Sequence, residues 1–422
     1  MVVLIDSNNF YVSVERAFQP YLKYMAGCVM SNGDGCAIAL SNEAKLMGIR
    51  RGTPFFELRE LLNQGKLWWR SSNYTLYQDM MRRITRIIKR SFPDQEIYSI
   101  DECFCDLSGH KYENLEEKGV ELRERILKWV GVPVGIGIAP NRTLAKIANK
   151  LSKKTETGVF MMDTAEKIEA GLKATEIDDV WGIGPRYAIK LIQEGVYTAW
   201  DFVQLPEDYV LKLMTIQGRR TYRELKGERC IPMEYDRPDK QAIATARSFR
   251  GFERELPPME EALANYVANA ALKLRAQGSV CAKIFVYAHT SRFAVVTDRY
   301  SAGQEIKLEV ATNDTAVLIK QAVRALRMIF VKGYRYQKVG IELKDLKPEG
   351  QVQSSLFDSV DMVKNEKMQR ALRAIDGMNA VYGKDTIRYA VMGYEKKWFM
   401  KQEYLSRKFT TRLEDVIVVK AM

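Results

Sequence analysis

Three carboxylates stand where packing alone would not put them. Val2-Val3-Leu4-Ile5 is an apolar, β-forming run that ends in Asp6, and Tyr98-Ser99-Ile100 leads into Asp101-Glu102-Cys103-Phe104-Cys105. An unpaired carboxylate at a buried strand end is costly. Three of them brought together would repel and raise one another's pKa. Divalent metal relieves that repulsion, and an all-oxygen ligand set with substrate phosphates suits Mg²⁺. The pattern therefore predicts a two-metal phosphoryl-transfer site. Asp101 and Glu102 are adjacent, so a regular strand would send them to opposite faces. Both reach one metal pair only if the strand ends or turns there, and a strand end or hairpin tip is expected.

The elements around these residues follow from pattern. Val2 to Ile5 reads as a buried strand and Asn42 to Met47 as a helix ending at Gly48. In Asp79 to Arg90, Met80, Ile84, Ile87 and Ile88 share one helical face. Arg82, Arg83, Arg86, Lys89 and Arg90 fill the rest, either as a solvated face or as phosphate contacts. Ile97–Leu107 and Val132–Ala139 are strand candidates. Asn141-Arg142-Thr143 opens a helix with Leu144, Ile147, Ala148 and Leu151 as its core stripe. Arg142, Lys146, Lys150, Lys153 and Lys154 give that helix a basic side. From Asp163 to Asp236 the pattern is helical, and Pro238-Asp239-Lys240 reads as a linker. Beyond it, strand 242–249, helix 259–275, strands 281–287 and 305–311, helix 315–330 and strand 338–343 give the order β-α-β-β-α-β of a ferredoxin-like domain. After Pro348 the chain turns polar and then weakly helical.

Bulk composition narrows the partners. The 422 residues exceed one core and suggest about three domains. A net charge of +12 without a membrane segment points to an anionic polymer, most simply nucleic acid. The apolar run at Met1–Ile5 is too short for a signal sequence, and a cytosolic location is expected. The 6 cysteines lack zinc-site spacing and read as buried thiols.

Two glycine motifs divide. Val180-Trp181-Gly182-Ile183-Gly184-Pro185, followed by Ala188, Leu191 and Ile192, reads as helix–Gly-x-Gly–helix. Its glycines would let backbone amides approach a phosphate, so a helix-hairpin-helix that grips duplex backbone is expected, against an ordinary helical connection. Gly135-x-Gly137 is no dinucleotide fingerprint, because Pro140 stands where the third glycine would fall. On residue chemistry alone, template-directed polymerisation stands beside a metal-dependent nuclease, a nucleotide cyclase with a similar palm, and a non-catalytic DNA-binding protein.

Taken together, the motifs resemble those of the Y-family translesion DNA polymerases, and within them the UmuC-type catalytic subunits of bacterial DNA polymerase V. The resemblance spans essentially the whole chain. It is carried by Asp6-x-Asn8-x-Phe10-Tyr11, Ser31-Asn32-Gly33-Asp34-Gly35-Cys36, Glu43-Ala44-Lys45, Tyr98-Ser99-Ile100-Asp101-Glu102, Thr143-Leu144-Ala145-Lys146, Trp181-Gly182-Ile183-Gly184, Gln353-Ser354-Ser355-Leu356-Phe357 and Phe409-Thr410-Thr411-Arg412.

The resemblance implies an α+β multidomain, right-hand polymerase. A ferredoxin-like palm would span 1–10 and 73–162, small fingers 11–72, and a helical thumb with the helix-hairpin-helix 163–236. A ferredoxin-like little finger would span 241–346, and 347–422 would hold a clamp-binding segment and a partner-binding tail. The implied activity is error-prone, template-directed DNA synthesis across lesions in an SOS-type damage response. Asp6, Asp101 and Glu102 would hold two Mg²⁺ ions, with the Ser7 carbonyl completing the nucleotide-side metal and Mn²⁺ as a possible substitute. Tyr11 would be the steric gate against a 2′-hydroxyl. Phe10, Asn42, Lys45 and Lys153 would bind the dNTP. Many relatives carry Asn-Tyr-Glu-Ala-Arg where this chain has Ser41-Asn42-Glu43-Ala44-Lys45, so a point charge replaces a bidentate fork. Gly182, Gly184, Arg247 and Ser248 would touch DNA, and Gln353, Leu356 and Phe357 would dock on the sliding clamp. The implied partners are primed DNA, dNTP, the clamp, a UmuD-type accessory dimer and a RecA filament. The implied location is cytoplasmic, at the nucleoid.

Overall fold

The computed structural model describes residues 1–236, 238–351, 362–395, 398 and 402–418. Along the first part of the chain run β1 (Val2–Ser7), α1 (Phe10–Phe18), β2 (Gly27–Met30), β3 (Ala37–Leu40), α2 (Asn42–Leu46), α3 (Phe55–Asn63), β4 (Trp68–Ser71) and α4 (Tyr74–Ser91). They are followed by β5 (Gln95–Ile97), β6 (Glu102–Asp106), α5 (Leu115–Val130), β7 (Val134–Ala139), α6 (Arg142–Ser152) and β8 (Val159–Met161). The helical stretch is α7 (Ala165–Lys173), α8 (Pro185–Gln193), α9 (Ala199–Val203) and α10 (Glu207–Leu225). The chain separates into two compact units, one of residues 1–237 with 404–422 and one of residues 238–403. The segment beyond 347 thus divides between them.

In the first unit β1 is the middle strand of a five-stranded sheet ordered β5-β6-β1-β7-β8. Being central, it is apolar on both faces. Val3 and Ile5 pack with the α4 and α5 side chains Ile84, Ile88, Leu122 and Ile126. Val2 and Leu4 face Leu144, Ala145 and Ala148 of α6. Alternation then places Asp6 on the α6 side of the sheet. A second, three-stranded sheet ordered β3-β2-β4 has its own small core of Cys28, Met30, Leu40 and Leu58.

The strand expected over 97–107 is two strands. β5 and β6 pair antiparallel with Ile97 opposite Cys103, and Tyr98–Asp101 form the turn between them. The helical connection before Gly182 also differs from expectation. Between α7 and Gly182 stands one 3₁₀ turn, Ile177–Asp179. Backbone bonds from Ile177 N–H to Tyr197 C=O and from Ala199 N–H to Thr175 C=O hold the entering chain extended.

The second unit holds β9 (Ile243–Glu253), α11 (Leu256–Ala276), β10 (Ser279–Thr290), β11 (Ser301–Thr312), α12 (Thr315–Ile329) and β12 (Tyr336–Pro348), in the order read from the sequence. All four strands pair antiparallel, ordered β11-β10-β12-β9. The buried stripe Met259, Leu263, Tyr266, Val267, Ala270 and Leu274 of α11 packs on that sheet beside α12. A further helix, α13 (Met362–Tyr382), follows. Gln353, Leu356 and Phe357 lie outside the described residues.

Candidate active site

Asp6 and Glu102 are direct cross-strand partners in the β1–β6 pair. They therefore project from the same face. Asp101 is the last residue of the hairpin turn, released from strand alternation, and its carbonyl accepts the Ser7 N–H at 2.9 Å. Ser99 shapes this turn. Its Oγ accepts the N–H groups of Asp101 (3.2 Å) and Glu102 (3.1 Å) and donates to the Asp101 carboxylate.

The carboxylates share a cavity of about 480 Å³. One wall carries Asp6, Ser7, Phe10, Tyr11, Asp101 and Glu102; the other carries Ile38, Ala39 and Leu40 of β3 with Lys45 and Arg51. The short helix α2 is capped by Ser41, whose side chain accepts the Ala44 N–H at 3.1 Å. Lys45 on that helix donates to Asn9 Oδ1 at 2.7 Å, and Asn9 Nδ2 donates to Asn42 Oδ1 at 2.9 Å. Asn42 is thus tied to Asn9, which holds the left-handed turn ahead of α1 at φ 47°. Arg51 is anchored by donation to the Ile38 carbonyl at 2.8 Å.

Charge is concentrated and imperfectly balanced. Burial pushes the Asp6 carboxyl above its ordinary range, Lys153 pulls it back, and Glu102 and Asp101 push it further up. Lys153 at the end of α6 pairs with Asp6. Lys146 spans both Glu102 oxygens at 2.9 and 3.0 Å. Burial lowers the Lys45 ammonium, with help from the positive charges of Lys153 and Arg51. Among the described residues, the acidic groups whose oxygens all lie within 4.8 Å of one another are Glu176, Asp178 and Asp179, all exposed. Asp6 and Glu102 are instead each held by a lysine of α6.

The basic side expected of α6 is consequently not a free face. Arg142 is buried against Glu96 at 2.8 Å, and Lys150 pairs with Asp179. The Arg142 guanidinium lies over the rings of Phe104, Trp181 and Tyr98. Lys146 and Lys153 are taken up by the site carboxylates.

Tyr11 stands on α1 with its ring stacked on Tyr77 (4.4 Å between centroids, 15° between planes) and edge-on to Tyr74 at 5.9 Å. Phe10 is mostly core, edge-on to Tyr77. Gly182, Gly184, Arg247 and Ser248 are not among the residues that line this cavity. Gly182 takes φ +93° in close contact with Thr221, and Gly184 is the N-cap of α8 with Pro185 in its first turn. Arg247 and Ser248 sit on β9 opposite Val339 and Lys338.

Arg51, Asn9, Ser99 and Lys146 complete the site and carry no role in the sequence reading. Arg51, in Arg50-Arg51-Gly52, belongs to no motif of the sequence. Asn9 is an unspecified position of Asp6-x-Asn8-x-Phe10-Tyr11 and Ser99 lies in Tyr98–Glu102, and spacing assigns neither side chain a function. The Lys146–Glu102 bond joins residues 44 positions apart.

Comparison with known proteins agrees with this architecture. Residues 5–150 match the impB/mucB/samB family, 240–356 the C-terminal domain of that family, and 369–419 a domain of unknown function. The chain is 38% identical over 424 residues to Protein UmuC of Salmonella typhimurium, covering 100% of both. It is 33% identical to Protein MucB of Escherichia coli, covering 97% of each. A solved Y-family DNA polymerase chimera of Dbh and Dpo4 superposes with a TM-score of 0.64 at 21% identity, over 82% of this chain and 98% of that one. DinB from Sulfolobus solfataricus superposes with a TM-score of 0.51 at 20% identity, over 81% and 98%. With β1 and the β5–β6 hairpin bringing three carboxylates to one cavity, and with relatives matched end to end, this chain belongs to the UmuC-type impB/mucB/samB family of Y-family DNA polymerases.

Proposed function

We propose that this chain is an error-prone, template-directed DNA polymerase for translesion synthesis, with Asp6, Asp101 and Glu102 as its metal-holding carboxylates. The observation that carries the reading is the shared cavity, with the acids and Tyr11 on the sheet side and cations on the β3–α2 side. The chemistry is divalent-metal dependent. The donor set fits such ions, because burial and neighbouring acids raise the Asp6 carboxyl, with Lys153 paired to Asp6 and Lys146 to Glu102 as countercharges. We assign Mg²⁺, with the Ser7 carbonyl as a further oxygen and Mn²⁺ as a substitute. When bound, the metals lower the pKa of the primer 3′-hydroxyl and neutralise the triphosphate and the leaving pyrophosphate.

The chain's own residues do the rest. Lys45 and Arg51 face the same cavity as the acids and are suited to triphosphate oxygens. Lys153 exchanges its bond to Asp6 for a phosphate oxygen as the nucleotide enters. Asn9 and Asn42 hold the Lys45 ammonium in place. The flat face of Tyr11, backed by Tyr77, lies beneath the sugar and leaves no space for a 2′-hydroxyl. Gly182 and Gly184 of the thumb, and Arg247 and Ser248 of the little finger, grip primed DNA through its backbone.

The domain limits proposed are palm 1–10 and 73–162, fingers 11–72, thumb 163–236 and little finger 241–346. Gln353, Leu356 and Phe357 are assigned to the sliding clamp, and the C-terminal tail to a UmuD-type dimer and a RecA filament, at the bacterial nucleoid. Among the described residues no helix is long and apolar enough to cross a membrane.

Primer extension with Mg²⁺ and dNTP tests the site. Asp101→Ala should lose roughly a hundredfold or more in incorporation rate while still binding primed DNA. Full activity in that variant would reject the assignment.

A further inference from the structure

The C-terminal segment from Tyr404 to Arg412 crosses the junction of β4, α1 and α4. Its backbone pairs with β4: Ser71 N–H donates to Tyr404 C=O at 3.1 Å, and Tyr404 N–H donates to Ser71 Oγ at 3.2 Å. Asn73 Nδ2 donates to the Ser406 carbonyl and Oγ, both at 3.0 Å, and to the Arg407 carbonyl at 3.3 Å. Two ring contacts clamp the segment, Tyr404 on Trp69 and Phe409 flat on Phe18 at 4.8 Å.

The segment reaches one buried acid. Glu15 on α1 is fully buried and lies one helical turn after Tyr11. Its Oε1 accepts from Ser406 Oγ at 2.9 Å and from Tyr77 Oη at 2.6 Å; its Oε2 accepts from Gln19 Nε2 at 2.9 Å. The donors are neutral, and burial accordingly raises this carboxyl above its usual range. A buried polar group must keep its partners, because losing one leaves the rest unsatisfied. Tyr77, held from its hydroxyl end by Glu15, presents its ring face to Tyr11.

We propose that the C-terminal strap, residues 404–412, positions Tyr11 through a relay of Ser406, Glu15 and Tyr77, and so sets how strongly the site rejects ribonucleotides. The proposal rests on the reading of Tyr11 as the sugar-facing residue. Ser406, Glu15 and Tyr77 touch no substrate and are positioning residues. The relay assigns work to a segment within the stretch whose matching domain has no known function.

The test measures the ratio of kcat/KM for deoxynucleotide to that for ribonucleotide, in the full chain on primed DNA with Mg²⁺. Ser406→Ala and Tyr77→Phe should each lower that ratio by roughly three- to tenfold, the value of one hydrogen bond, and Ser406→Thr should restore it. General destabilisation reduces the active fraction and scales both rates alike, so it leaves the ratio unmoved. Ser406→Ala keeps the test open if Tyr77→Phe fails to fold. If Tyr11→Ala abolishes discrimination while the relay variants match the parent, the relay is wrong and the gate stands. If Tyr11→Ala leaves discrimination intact, both are wrong.

Discussion

At the scale of single residues, the site places ionisable groups where solvent alone cannot balance them. Asp6 is the clearest case: half-buried, flanked by two further acids, and held by Lys153. Tyr11 shows the same effect on a neutral group. Burial pushes its phenol up to about 12, with Tyr74 and Asp101 adding to the shift. A phenol ionises only as pH rises through its pKa, so the raised value keeps Tyr11 protonated beyond the ordinary range near pH 10. If the gate works by ring shape, discrimination between deoxy- and ribonucleotides should stay flat from about pH 7 to about pH 9.5, even as overall rates change. Single-nucleotide incorporation across that range checks it. A fall in discrimination centred below about pH 10 would mean that the ring is solvated and loses its proton like a free tyrosine.

At the scale of elements, much was legible because the relevant signals are local. An apolar run ending in Asp6 predicts a buried strand, and two adjacent acids at a strand boundary predict a turn. The β5–β6 hairpin has that form, with Asp101 in its turn and Glu102 opening β6. The β-α-β-β-α-β order of 243–348 followed from period and length. What was hidden is contact between distant elements. Spacing gives no sign that Lys146 spans Glu102, that Arg142 is buried on Glu96, or that Arg51 is fixed by β3. Gly137 is the telling example. It belongs to no nucleotide fingerprint, and its reason is packing. A Cβ there would stand 2.2 Å from Asn149 N and 2.4 Å from the Ala145 carbonyl, both backbone atoms of α6. The glycine therefore lets α6 lie close on β7, which brings Lys146 and Lys153 to the acids. Gly137→Ala should cost about 3 kcal/mol as α6 is forced outward, and should depress incorporation more than the loss of folded protein explains. Gly135→Ala is the control. Its Cβ would meet the side chains of Ser152 at 3.0 Å and Asn8 at 3.5 Å, and a side chain yields more easily than backbone. Chemical denaturation of the two variants, with activity measured in parallel, separates them. Equal losses would remove the packing argument.

At the scale of the whole molecule, the chain path matters more than any one motif. It builds the first unit, then the second over 238–403, and returns at Tyr404 to the unit that holds the carboxylate cavity. Each unit has its own core, so each should have its own unfolding transition. The net charge of +12 serves DNA affinity, and it leaves to apolar and hydrogen-bonded contacts the task of seating the last segment. Those contacts include two aromatic pairs, the Ser71–Tyr404 bonds and the bonds among Asn73, Ser406 and Glu15. Aromatic pairs and buried hydrogen bonds of this number amount to about 2–4 kcal/mol. Ending the chain after Glu403 should therefore lower one calorimetric transition, that of the 1–237 unit, by several degrees. The transition of the 238–403 unit should stay where it is, since its core residues lie within its own span. Hydrogen exchange identifies which transition moved: amides of α1 and of the first turns of α4, around Glu15 and Tyr77, should lose protection, while those of α11 should not. If both transitions fall together, the strap does not belong to the catalytic unit alone. If neither falls, residues 404–412 contribute no stability there, and a relay from Ser406 to Tyr11 would have no energetic basis.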